Sequence, residues 1–452
     1  MLARPAQAQG GIQIQTDEAT PNFPGSIDFH LVANSRAAID SVVLHYGTNG
    51  RTCQSGEARQ VVDFDHGPTV DTHWAWELKR SGSLPPGVQV WWQWEIHDAS
   101  GAQITTEKQS LRVEDARYSW RTLTCNHLTL IWSEGDNAFG AALMDEAQRS
   151  LDRLATDMGV RPPGDVWITV YPTAEDIRGA ILHQPEWTGG LAFPEYGSVV
   201  MGILPGEDEW AAQVIPHELA HLVVGALVFN CLGVDLPTWL DEGLARYSEG
   251  AWPNDERDVR QALDQNALPP LRTLANGFPA DEDRARLAYA QSGQIVQFMI
   301  QTYGPDKMSA LLAAMQSGKK IDPALREGYS FDTDGLDAAW RISMGAAALP
   351  TVQPTSTASV ERTPVPTFAL WTAVPVAAAA TPTASPPPPD TPRPTLASPT
   401  LPTAPSATAA PPADTRQPSF VLPLLLCGGM AVVLLLVVTG VVFAFFVRRR
   451  GA

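Results

Sequence analysis

Basic residues are scarce in this chain. Against 49 Asp and Glu there are 31 Lys and Arg, a formal net charge of −18 over 452 residues. A nucleic-acid binder needs a basic face to displace counterions, and no basic stripe with interleaved aromatics occurs, so that class is excluded. Cysteine is scarcer still: four residues do not make a disulfide framework, and none has the CxxC spacing of a cysteine-built structural zinc site. Cys53 and Cys125 are the pair open to a bridge outside the cell, with buried thiols the alternative. Cys231 stands alone and Cys427 lies in an apolar run. The first residues, MLARPAQAQGG, lack the hydrophobic stretch of an export signal.

Proline is plentiful, 39 residues crowded toward the C-terminus. From 348 to 419 the chain is built of Pro, Thr, Ser and Ala, as in TPTASPPPPDTPRPTLASPT. Such a segment loses backbone donors and has no large apolar side chains, so it predicts a disordered, partly polyproline stalk rather than a core. Beyond it, within 420–447, the run from Leu424 to Val447 is almost wholly apolar. As a helix it would reach roughly 36 Å, enough for a hydrocarbon layer of about 30 Å. Arg448, Arg449 and Arg450 follow in a basic tail, 448–452. Positive residues favour the cytoplasmic side, which predicts a single-pass protein of the cell membrane with its bulk extracellular. An exported N-terminus needs a signal, and Ala6-Gln7-Ala8 fits the small-x-small pattern before a cleavage site, so residues 1–10 are read as a signal-peptide remnant. A tail-anchored protein with a cytosolic bulk is the rival.

At this length two or three domains are expected. Residues 11–115 alternate apolar and polar side chains with period two, in SIDFHLVAN, SVVLHYG, DTHWAWEL and VQVWWQWEIHD, with turn clusters such as PNFPGS, GTNG and DASG between them. About seven short strands at this spacing predict an all-β sandwich of the immunoglobulin or fibronectin kind. Trp74, Trp76, Trp91, Trp92 and Trp94 are expected in its core and on its sheet faces, with a carbohydrate platform as the alternative. His30, His45, His73 and His97 show no metal-ligand grouping and are read as structural.

Residues 116–347 mix strands and helices. RTLTCNHLTLIW reads as a strand pair, NAFGAALMDEAQRSLDRLATDMG as a helix ending on Gly159, and DVWITVYP and EYGSVVMGIL as strands. Helical periodicity then predominates around 208–229, 237–249, 255–266, 282–303, 305–316 and 333–344. A small sheet followed by a run of helices is an α+β arrangement.

One stretch here carries chemistry. In VIPHELAHLVVG, His217 and His221 stand four apart with Glu218 between them. On a helix both imidazoles project from one face, about 6 Å apart in rise, which suits two nitrogens on one zinc. Glu218, one step round, is placed to take a proton from a water that the metal activates and to pass it to a leaving amine. The alternative is a core helix with two satisfied histidines. A catalytic zinc needs a third protein ligand, and no histidine follows His221, so a carboxylate must serve. LPTWLDEGLARYSEG supplies two, Asp241 and Glu242, on a helix starting near Pro237 and Thr238. Gly243 leaves room beside them for close helix packing.

The pattern resembles the gluzincin metallopeptidases, and in particular the peptidase MA-like domains. Their HExxH is followed at about this distance by a tryptophan-leucine-x-glutamate-glycine-x-alanine block, which here reads Trp239-Leu240-Asp241-Glu242-Gly243-Leu244-Ala245. The resemblance covers roughly residues 118–345. It implies Zn2+ bound by His217, His221 and Glu242, and Glu218 as the catalytic base. AYAQSGQIVQFMIQTYG resembles the family helix that begins with a catalytic tyrosine, which implies Tyr289 as donor to the oxyanion, with a tyrosine capping a core helix as the plain alternative. Similar enzymes use a segment like GGLAFPEYGSVVMGIL as an edge strand for an extended substrate, with Gly189 and Gly190 a flexible entry. The aminopeptidases among these relatives carry a glycine- and glutamate-containing exopeptidase motif that this chain lacks, so the expected activity is endopeptidase cleavage of peptide or protein substrates. The contrasting expectation is an inactive cell-surface binding or adhesion protein on the same fold.

Overall fold

Alternating side chains from Gln13 to Arg112 fold as antiparallel strands, because period-two patterning offers one apolar face to a core. The computed structural model describes residues 11–53, 57–182, 189–250 and 253–346. The signal-peptide remnant read at 1–10, the stalk at 348–419, the membrane span within 420–447 and the basic tail at 448–452 lie outside these residues.

The β-rich region contains β1 (Gln13–Asn22), β2 (Ser26–Thr48), β3 (Glu57–Val61), β4 (Gly67–Glu77), β5 (Gln89–Asp98), β6 (Gln103–Thr105) and β7 (Gln109–Arg112), with a one-turn helix α1 (Leu78–Ser81) after β4. One strand is long rather than short: β2 has 23 residues and serves two sets of partners. Its first part, Ser26–Asn34, pairs with β1 and β4; its second, Ser41–Thr48, pairs with β5, and Val43–Gly47 also pairs with β3. The register breaks between Asn34 and Ile39.

Phe29, Leu44, Val90 and Trp94 fill the core between these pairings, joined by Trp92, and Trp74 and Trp76 pack on it. The buried indoles of Trp92 and Trp94 both donate to Oδ1 of Asp17, at 2.7 and 3.1 Å, so neither leaves an unpaired donor. The histidines are not all isolated, contrary to the sequence reading. Strand register sets His30 directly opposite His73, with Asp71 beside them, a juxtaposition that no sequence spacing reveals.

The second region begins with the hairpin β8 (Arg121–Cys125) and β9 (Leu128–Trp132), turned at Asn126, whose φ is 53°. Helix α2 (Asn137–Asp157) follows, capped by Asp136, then β10 (Val166–Tyr171), α3 (Ala174–Ala180), β11 (Gly190–Phe193) and β12 (Ser198–Gly202). The sheet order is β11-β12-β10-β9-β8; β10 runs parallel to both β9 and β12, and β11 closes one edge antiparallel to β12. The helical part contains α4 (Asp208–Val228), α5 (Thr238–Glu249), α6 (Pro253–Asp264), a 3-10 turn (Leu271–Leu274), α7 (Glu282–Tyr303), α8 (Pro305–Gln316), α9 (Ile321–Tyr329) and α10 (Thr333–Ser343). Helix α9 is an addition to the sequence reading. It is short, and its Pro323 falls in the first turn, where a missing N–H costs nothing.

Helix α4 is apolar enough on all sides to satisfy a membrane-span criterion, yet it is a core helix. One flank packs with α2 and the sheet through Val214, Ile215 and Leu219, the other with the helices through Ala220, Val223 and Val224. That central position makes it a rigid platform.

The two regions are joined covalently. Cys53 pairs with Cys231, not with Cys125. The partners lie 178 residues apart in sequence, so only the packing of the loop after β2 against the loop after α4 brings them together. Arg51 reinforces this seam, its guanidinium donating to the Ala226 carbonyl at 2.6 Å and its backbone N–H to the Glu195 carbonyl at 2.8 Å.

Candidate metal centre

Helix α4 carries His217 and His221 one turn apart, and α5 packs across it. The close approach of α5 to α7 depends on Gly243, where a Cβ would stand 2.7 Å from the Ser292 carbonyl oxygen and 2.8 Å from Val296 Cγ2. Glu242, the residue before it, thereby reaches both histidines. Nε2 of His221 is 3.1 Å from Nε2 of His217, and Oε2 of Glu242 is 3.6 Å from His217 Nε2 and 3.5 Å from His221 Nε2. A tetrahedral zinc with bonds of about 2.0–2.2 Å holds its ligand atoms about 3.3–3.5 Å apart, so this triangle has the size one such ion requires.

The donor chemistry fits as well. Nδ1 of His217 lies 2.7 Å from Oε1 of Glu249, and Nδ1 of His221 lies 3.2 Å from Oδ1 of Asp241. A carboxylate only accepts, so each Nδ1 carries a hydrogen and each Nε2 is the nitrogen left to face an ion, which would take the place of any proton there. The two Nε2 atoms converge beside Oε2 of Glu242, which is buried with no hydrogen-bond partner among the described residues. An unpaired buried carboxylate oxygen is costly unless a cation meets it. Asp241 and Glu242 thus separate: Glu242 points at the shared centre, and Asp241 turns to the back of His221. Burial works against a charged His221, yet Asp241 and Glu242 hold its pKa well above the ordinary histidine value.

Glu218 is 7% exposed and beside the triad. Burial pushes its carboxyl above the ordinary range, against the pull of His217 and His221 and with the help of Glu242 and Asp241. Edge strand β11 passes directly over it. A Cβ on Gly190 would be 2.6 Å from Glu218 Cγ and Oε1, so glycine at this position is a close-approach requirement rather than only a flexible entry. Gly189 lies under Trp210, whose indole donates to the Gly202 carbonyl at 2.8 Å.

Tyr289 lines the same cleft from α7. It sits inside that helix, which starts at Glu282, rather than at its beginning. Burial, then the negative charge of Glu242, Glu218 and Glu249, lifts its hydroxyl to about 12, so it is a hydrogen-bond donor throughout the neutral range. The cleft has a volume of about 740 Å³ and is bounded by Leu191 and Ala192 of β11, Trp210 and His217 of α4, and Asp241 of α5.

The structure therefore brings His217, Glu218, His221, Glu242 and Tyr289 to one cleft. Sequence reasoning did not find Glu249. Its signal was present: it lies seven residues after Glu242 on α5, two helical turns, and so on the same face.

Residues 146–346 match the Peptidase MA superfamily. Among solved structures, the chain is similar to an M1 zinc metallopeptidase from Deinococcus radiodurans, with 14% identity, 77% of this chain and 97% of that chain covered, and a TM-score of 0.35. It is also similar to an aminopeptidase N family protein from Idiomarina loihiensis, with 11% identity, 73% and 70% covered, and a TM-score of 0.29. A comparison with curated proteins finds no match. The matched segment begins within α2 and runs to the end of the helical part, so that it takes in the HExxH helix and the helix of Glu242, and it forms a gluzincin-type peptidase MA-like domain.

Proposed function

We propose that this chain is a zinc-dependent endopeptidase held at the outer face of a cell membrane. The observation that carries the reading is the triangle of His217 Nε2, His221 Nε2 and Glu242 Oε2, whose buried carboxylate oxygen has no hydrogen-bond partner among the described residues. His217, His221 and Glu242 would hold the ion, with Glu249 and Asp241 fixing the two imidazoles from behind. Zinc, when bound, supplies a Lewis acid that acidifies water and polarises a carbonyl.

The chain's own groups do the rest. Glu218, buried and raised in pKa, takes the proton of the attacking water and returns it to the leaving amine. The protonated Tyr289 hydroxyl donates to the oxyanion of the tetrahedral intermediate. The outer edge of β11, which no strand among the described residues pairs with, supplies backbone donors and acceptors for an extended substrate, holding the scissile bond over Glu218. From Gly190 to Phe193 this edge has no carboxylate to grip a substrate amine, which supports internal cleavage over removal of N-terminal residues. Peptides or unstructured proteins are the substrates implied.

The bridge between Cys53 and Cys231 supports an oxidising, extracellular compartment. What supports the immunoglobulin or fibronectin reading is the change of partners along β2: all seven strands join through it in one continuous sheet, and at its register break β2 passes from β1 and β4 to β3 and β5 around a common core.

The test is metal content and hydrolysis of an unstructured protein by the purified chain and its Glu218→Gln form. Zinc in both, with cleavage by the unmutated chain alone, is expected, and peptides with blocked N-termini should be cut. Absence of tight metal from the folded chain overturns the reading, while metal with no cleavage favours a binding protein on this fold.

A further inference from the structure

The β-rich region carries a second set of metal-donor side chains, remote in sequence from the HExxH helix. His30 on β2 and His73 on β4 are direct cross-strand partners, and their rings stack with centroids 3.9 Å apart and planes 9° from parallel. Asp71, two residues before His73, places Oδ1 2.8 Å from His30 Nε2 and 3.7 Å from His73 Nε2. Each of the three residues offers one ligand atom within 4.8 Å of the others. On the far side of His30, the register sets the exposed Glu18 of β1 opposite it, so a fourth donor faces the same solvent side of the sheet.

We propose that His30, Asp71 and His73 form a binding site for a divalent transition-metal ion of the Zn2+, Ni2+ or Cu2+ class. Two imidazoles and a carboxylate suit these ions, whereas Mg2+ and Ca2+ call for oxygen ligands throughout. A surface ion pair contributes little to stability by itself. A metal instead uses both ring nitrogens as lone-pair donors and the carboxylate as counter-charge. His73 and Asp71 are open to water, with side chains 65% and 66% exposed. They are therefore free to turn toward a shared ion, and water completes its coordination. The ion would tie β2 to β4 across the sheet, so its binding stabilises this region.

The test uses the purified full chain, stripped of metal and titrated with Zn2+ alone by calorimetry, with Ni2+ in parallel and melting followed in each state. The expected result is a tight equivalent and a second, weaker one. His30→Ala and His73→Ala each remove the weaker equivalent and its shift in melting temperature while leaving peptide hydrolysis unchanged. The double variant His217→Ala, His221→Ala keeps the weaker equivalent and loses the tight one. If the centre on α4 and α5 takes no metal, the unmutated chain still shows one equivalent that His73→Ala abolishes, so the two readings fail separately. A weaker equivalent that survives both His30→Ala and His73→Ala, or none detected at all, overturns the proposal.

Discussion

Oε1 of Glu249 stands 2.7 Å from Nδ1 of His217, while its other oxygen receives the Arg246 guanidinium at 2.8 Å. Glu249 is thus held at both ends and is 5% exposed in its side chain, a fixed acceptor rather than a mobile one. It sets the tautomer and ring orientation of His217. Partners of this kind are worth about 10–100-fold in metal affinity. Glu249→Ala should weaken zinc binding by about that factor while leaving the helices folded. Competition with a chelator at fixed pH measures it. Affinity unchanged within a factor of about two would mean that His217 is oriented by the packing of α4 alone.

The pair also shows what the sequence makes legible. His217 and His221 can be matched because helical geometry makes i and i+4 neighbours, and Glu242 because its block has a family counterpart. Helical spacing puts Glu249 on the same face as Glu242, but its reach to His217 depends on the angle at which α5 crosses α4, which no local pattern encodes. The same limit hides the bridge of Cys53 to Cys231, separated by 178 positions, and the meeting of His30 with His73, which rests on strand register. Period-two alternation announced strands in residues 11–115, but not that β2 would run unbroken through both sets of partners, since they change at a shift of register rather than at a turn that sequence rules would look for.

Gly190 and Glu218 make a sharper test of the cleft. A methyl group on Gly190 would lie 2.6 Å from the carboxylate of Glu218, closer than contact allows, and the long side chain is the partner that can move. Gly190→Ala should therefore leave zinc affinity near that of the unmutated chain and displace the proposed base. Steady-state kinetics should show kcat lower by about 10²–10⁴-fold, the usual contribution of a positioned acid–base group. A kcat within threefold or so of the original would mean that Glu218 has room to relax and remain in place.

Gly243 tests the packing that delivers Glu242. Its missing side chain faces backbone, the Ser292 carbonyl oxygen at 2.7 Å, as well as Val296 Cγ2 at 2.8 Å. Backbone of α7 cannot swing aside as a side-chain tip can. Gly243→Ala should destabilise the domain by about 1–3 kcal/mol through overpacking, and the displaced α5 should also weaken metal binding. Denaturant unfolding and a zinc titration check both effects. Unchanged stability would show that α5 and α7 slide apart at low cost.

Asp322 gives the fold a pH dependence separate from the catalytic cleft. It joins α9 to α10 and to the 3-10 turn, accepting from Thr333 Oγ1 at 2.6 Å, from the Thr333 backbone N–H at 3.1 Å and from Arg272 at 2.9 Å. Burial alone would raise its pKa, but the Thr333 and Arg272 hydrogen bonds outweigh it and bring the carboxyl down to about 2. A folded-state value below the unfolded one, about 3.9, stabilises the native state above the unfolded value, and the contribution disappears as pH falls through the folded value. The contribution at neutral pH should be about 1–2 kcal/mol after allowance for solvent screening. Asp322→Asn should be less stable than the unmutated chain at pH 7, and the gap should narrow below about pH 4 and close near pH 2. Denaturant midpoints across that range read it directly. A gap that persists unchanged to pH 2 would mean that the asparagine loses packing or hydrogen-bond geometry rather than charge.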